Sequence, residues 1–110
     1  MNWTVRLSQA AQDDFAAIID WTFEQFGEQQ AIAYAATLTA AIQELHVTGP
    51  DTPGIRARTD IRMGLLTLHA SRSGRKGRHF LKLRTPRDPA RVIEVVRILH
   101  DAMDLPRHLP

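Results

Sequence analysis

Arg91-Val92-Ile93-Glu94-Val95-Val96-Arg97-Ile98-Leu99 decides the fold. Val92, Ile93, Val95, Val96, Ile98 and Leu99 leave few polar positions, as expected of a central strand covered on at least one face. Working back toward the N-terminus, two further β-like runs precede it, Arg78 to Thr85 and Ile61 to His69. Pro86-Arg87-Asp88-Pro89 joins the last pair with proline turn chemistry. The polar and basic stretch Ser71-Arg72-Ser73-Gly74-Arg75-Lys76-Gly77 joins the first. Three runs linked this way predict an antiparallel meander.

Upstream of the loop Pro50 to Gly54 the period changes to that of helices. Ala11, Phe15, Ile18, Ile19, Thr22 and Phe26 fall within one arc at about 100° per residue, while Asp13, Asp20 and Glu24 point elsewhere. Ser8 offers an N-cap and Gly27 a stop. Ala31, Tyr34, Ala35, Leu38, Ala41, Ile42 and Leu45 then form a second stripe that ends at Gly49-Pro50. The short link at Gly27 makes these helices antiparallel neighbours, and their alanines permit close approach. Before them, Trp3-Thr4-Val5-Arg6-Leu7 alternates as a half-buried strand does. The layout is α+β: an N-terminal strand, then an antiparallel helical hairpin packed on a C-terminal three-stranded antiparallel meander whose other face is open.

With 110 residues, 44% hydrophobic and 24% charged, the chain suits one domain over 1–110. It has no cysteine, which excludes disulfides and thiolate-metal sites. Neither a signal peptide nor a membrane anchor is evident, which predicts a cytoplasmic protein with no membrane partner. The net charge of +2 conceals a polarity: residues 1–55 carry Arg6 alone against seven acids, 1 − 7 = −6, so residues 56–110 sum to +8. The basic half is the face for an anionic partner, although packing of the two halves also neutralises charge.

Among motifs for chemistry, the chain has no Gly-rich phosphate loop and no His-Glu-x-x-His pair. Its five histidines make no i, i+4 pair with one another, so no metal and no cofactor are expected. Most carboxylates lie on polar helix faces, where solubility explains them. Gly74-Arg75-Lys76-Gly77 offers cations to phosphate, but such a basic turn is more often simply solvated. The open sheet face would present some of Arg62, Lys82, Arg84 and Arg97. Gly77-Arg78-His79-Phe80 and Arg97 to Asp104 put arginine and histidine at strand ends, suited to a charge clamp and a general acid or base. The structural alternative pairs Arg97 with Glu94 or Asp104, and His100 with Asp104.

Arg97-Ile98-Leu99-His100-x-x-Met103-Asp104-x-x-Arg107-His108-Leu109 closely resembles the C-terminal signature of ParE toxins, in the RelE/ParE superfamily of type II toxin–antitoxin systems. Ala11-x-Asp13-Asp14-Phe15-x-x-Ile18 resembles that family's first helix, Phe26-Gly27 its helix break, Ala33-x-x-x-Thr37-Leu38 its second helix and Gly77-Arg78-His79 its middle strand. The resemblance implies the RelE/ParE-like toxin fold, growth arrest, plasmid stabilisation, DNA gyrase as target, inhibition by binding, and a cognate antitoxin, ParD-like or another small DNA-binding protein. It also implies that Arg78, Lys82, Arg84, Arg97, His100, Met103, Asp104, Arg107 and His108 contact target or antitoxin, with no catalytic residue and no direct nucleic-acid contact.

Two alternatives stay open within the superfamily. One is a RelE-like, metal-independent, ribosome-dependent mRNA endoribonuclease using Arg62, Lys82, Arg84 and Arg97 on phosphate with His100 as base. The only tyrosine, Tyr34, lies in the second helix, which departs from the RelE pattern of a tyrosine near the C-terminus. The other is an inactive antitoxin-binding remnant.

Overall fold

The computed structural model describes residues 2–58, 64–86 and 91–102. Its elements are β1 (Thr4–Leu7), α1 (Gln9–Phe26), α2 (Glu28–Thr48), a 3₁₀ turn (Gly49–Asp51), β2 (Arg56–Ala57), β3 (Leu66–His69), β4 (His79–Arg84) and β5 (Val92–His100). The helical hairpin and the β3-β4-β5 meander stand as the periodicity predicts. Arg62 and the start of the Ile61 to His69 run lie outside the described residues.

The sheet has five strands in the order β1-β5-β4-β3-β2. It is mixed rather than purely antiparallel, because β1 lies parallel to β5 with Thr4 opposite Val92 and Leu7 opposite Val95. Parallel neighbours need a long crossover, and here everything from α1 to β4 supplies it. The two-residue β2, pairing Arg56 with Thr67, gave no alternating pattern to read. In β4–β5, Lys82 faces Arg97 and Leu83 faces Val95, so Val96 is an extra residue that bulges β5.

Leu68, Leu81, Leu83, Ile93, Val95 and Ile98 form the core with Ala11, Leu38, Ala41 and Leu45 of the hairpin. The far face of the sheet is not open as expected. Leu65 and Leu99 are buried there with Phe80 packed on them, and Thr67 and Lys82 are buried as well.

Ser8 ties strand, helix and sheet together. Its Oγ accepts from Ala11 N at 3.0 Å as an N-cap and donates to Val96 O at 2.7 Å. Its own N–H donates to Val95 O at 3.0 Å. Beyond this point β1 has ended while β5 continues, and α1 takes over the uncovered edge.

Candidate functional site

Asp14 of α1 completes that edge. One carboxylate oxygen accepts from Ile98 N at 2.9 Å and Arg97 Nε at 2.7 Å; the other accepts from Arg97 Nη2 at 3.0 Å. Arg97, opposite Lys82 in register, thus meets Asp14 at the β5 edge beyond β1 rather than pairing with Glu94; Asp104 lies outside the described residues. The bidentate pair holds the guanidinium more strongly protonated than usual. Glu44 does the same for the β3–β4 connector, accepting from Arg72 at 2.7 and 3.0 Å and from Ser73 Oγ at 3.1 Å. Its carboxyl sits below the usual range, chiefly through Arg72. Solubility thus does not explain these two acids.

Next along β5 the strand ends gather five titratable side chains, His69 of β3, His79 of β4, His100 of β5, Asp101 just beyond it and Tyr34 of α2. Tyr34 of α2 accepts from Arg78 N–H at 2.9 Å, which leaves its hydroxyl hydrogen for His79 Nδ1 at 2.6 Å. Neutral His79 then carries its proton on Nε2. The His79 and His100 rings meet edge to face, with centroids 5.2 Å apart. Asp101 accepts from His69 Nε2 at 3.1 Å, and that bond holds its carboxyl below the ordinary value. Burial pushes the Tyr34 phenol up. Burial, and then the neighbouring His100, lowers His79 to about 4. Gly77 makes the junction possible: a Cβ there would lie 3.1 Å from Ala70 Cβ and 3.3 Å from the Tyr34 hydroxyl.

A proton-linked stability follows. His79 is protonated in the unfolded chain below about pH 6.5 but stays neutral in the fold down to about 4. The unfolded state then binds more protons, so stability is present above pH 6.5 and is lost as pH falls toward 4. For this half-buried ring the loss between pH 6.5 and 5 is about 1 kcal/mol after solvent screening. Urea unfolding at those two pH values is expected to show it in the native chain and to show a flatter profile for His79→Gln.

Two adjoining cavities, of about 480 and 330 Å³, open at this cluster and share Trp21, His79 and His100 in their walls. Trp21 and Phe26 stand 56% and 64% exposed, with ring centroids 5.8 Å apart in an edge contact. Phe23, Ile32 and Val47 are further exposed apolar side chains on the hairpin. Among the described residues no group of His, Asp and Glu side chains is placed to hold a metal.

Of the residues expected from sequence, Arg78 and His100 come together at the larger cavity. The other cations do not converge: Lys82 is 3% exposed and engaged where it lies, Arg84 is held by Glu94 at 2.6 Å, and Arg97 is held by Asp14. Met103, Asp104, Arg107 and His108 lie outside the described residues. His79 and Asp101 lie in the two stretches singled out from sequence, whereas Tyr34 and Asp14 were given no site role. For Asp14 a signal existed: it follows Ala11 by three and precedes Ile18 by four, which places it on the apolar face of α1.

The family model described as "ParE toxin of type II toxin-antitoxin system, parDE" matches residues 5–105. A solved structure described as a chromosomal ParDE TA system from P. aeruginosa is similar at a TM-score of 0.70 and 17% identity, covering 89% of this chain and 95% of that one. No curated protein matches.

Proposed function

Because the chain belongs to the ParE toxin family of type II toxin–antitoxin systems, we propose that it arrests growth by binding and inhibiting DNA gyrase in the cytoplasm, and that a cognate antitoxin neutralises it. The observation that carries this reading is the family match over residues 5–105. Supporting binding over catalysis, three of the four cations named for the nuclease alternative do not converge: Arg84 is paired with Glu94, Arg97 with Asp14, and Lys82 is buried; Arg62 lies outside the described residues. Among the described residues no helix is long and apolar enough to cross a membrane.

The antitoxin's disordered segment would order on contact. Its apolar anchors meet the exposed Trp21, Phe23, Phe26 and Ile32 of the hairpin. Its acids are expected to meet Arg78 and the tail's Arg107 and His108, with Met103 as a further apolar contact.

Induced expression is expected to stop growth, and co-expression of a cognate antitoxin is expected to restore it. A segment that binds only the folded toxin, at 100 times its Kd, adds about 2.7 kcal/mol of stability, read as a rise in melting temperature. Normal growth on overexpression of folded protein would instead mark an inactive remnant. Cleavage of ribosome-bound mRNA lost in Lys82→Ala or His100→Ala would mark a nuclease.

A further inference from the structure

The basic connector between β3 and β4 has a use that inhibition by protein contact leaves aside. Arg72 is taken by Glu44, and Arg6, Arg84 and Arg97 are likewise held by carboxylates. Arg75, Lys76 and Arg78 are exposed and lie in no ion pair among the described residues. Arg78 lies in the field of Asp101, and Arg75 and Lys76 stand beside it, so three exposed cations are clustered on one short loop.

That loop is held in a defined shape. Ser73 and Gly74 have φ of 52° and 79°, and Arg75 N–H closes the turn on Arg72 O at 2.9 Å. Glu44 grips one end through Arg72 and Ser73, and Tyr34 grips the other through Arg78 N. Lys76 and Arg78 then stand on one wall of the 480 Å³ cavity, with Trp21 and Phe26 on the same lining. No carboxylate lines that cavity. In the neighbouring 330 Å³ cavity the lining carboxylate, Asp14, is already neutralised by Arg97.

A track of such cations beside exposed aromatic faces is the combination that binds an unpaired polynucleotide strand: phosphates lie on the cations and a base stacks on the ring. A duplex would keep its bases from the indole, and a purely acidic peptide without apolar anchors would use the cations but not the ring faces; the antitoxin segment, which carries both, would compete with the strand for this cleft. We propose that this cleft binds single-stranded nucleic acid, with phosphates on Arg75, Lys76 and Arg78 and a base against Trp21 and Phe26. This goes beyond the binding-inhibitor reading, which requires no nucleic-acid contact and stands or falls on other experiments.

The test is fluorescence anisotropy of the full chain with a labelled oligothymidylate, titrated at several salt concentrations. Affinity is expected to fall with a log–log slope of about −2, as three phosphate contacts on a single strand give. Replacing Arg75, Lys76 and Arg78 together by alanine is expected to weaken binding at least tenfold and flatten that slope. Trp21→Ala is expected to weaken it about fivefold or more with the slope unchanged. Trp21→Phe, which keeps an aromatic face, is expected to retain most of the affinity, and Arg56→Ala, an exposed cation on β2, all of it. Because Trp21 is 56% exposed, its variants are expected to melt within a few degrees of the native chain, which a thermal scan checks. The proposal is overturned if the oligonucleotide does not bind at low salt or if Trp21→Ala binds it as well as the native chain. Equal competition by polyglutamate of matched charge would assign the loop to an acidic protein and also overturn it.

Discussion

Asp14→Ala is expected to cost about 3 kcal/mol of folding stability and to lower the melting temperature by about 12 °C or more. Three donors lose their acceptor at once: both arms of Arg97 and the Ile98 backbone N–H. The side chains of Asp14 and Arg97 are 16% and 34% exposed, so water replaces the lost partner only in part. Asp14→Asn keeps an acceptor for Ile98 but loses the charge, and about half the cost is expected. Arg97→Met combined with Asp14→Ala is expected to cost less than the sum of the two, because the pair acts as a unit. Chemical denaturation measures all four chains. A cost below about 1 kcal/mol for Asp14→Ala would mean that the α1 carboxylate is not what holds the β5 edge.

Gly49→Ala is expected to be at least as damaging, about 3–5 kcal/mol, while Gly27→Ala costs about 1–2. Both glycines have positive φ, 55° and 92°, so both substitutions strain the backbone. They differ in surroundings. A Cβ at Gly49 would lie 2.5 Å from the Trp3 indole, whereas nothing stands within 4 Å of one at Gly27. Trp3 has little room to withdraw: its backbone N–H, which donates to His46 O at 2.8 Å, anchors its Cα, and the Arg91 guanidinium lies 5.0 Å from its ring centroid. The difference between the two variants in urea midpoint isolates packing at the α2–β1 junction from backbone strain. Equal losses would show that the Trp3 contact contributes nothing.

The elements were legible where a local period expresses them. The stripe from Ala31 to Leu45 and the run from Val92 to Leu99 each carry their own pattern, and Ser8, Gly27 and Gly49 punctuate them where helices begin and end. Which strands become neighbours is not a local property. Leu7 meets Val95 across the whole domain, and the alternation of Trp3 to Leu7 specifies a strand without specifying its partner. The same limit hid the site. Tyr34 sits in an ordinary apolar stripe of α2, yet its hydroxyl lands 2.6 Å from His79 on β4. In the chain it stands far from the C-terminus, but in the fold it adjoins His79 and His100. The basic sheet face was overestimated because strand alternation says nothing of which carboxylates the fold brings to its cations. Asp14 captures the Arg97 guanidinium at the β5 edge, and the far face is packed around Leu99 rather than open. Family resemblance supplied what local patterns do not, and the match over residues 5–105 agrees with it.

The reading of this chain as an inhibitor that acts by contact meets its most direct test in a DNA gyrase supercoiling reaction containing the purified, folded protein. Supercoiling is expected to fall as toxin is added and to recover when the antitoxin is supplied, with RNA in the same tube left intact. Undiminished supercoiling at a molar excess of folded toxin would contradict it.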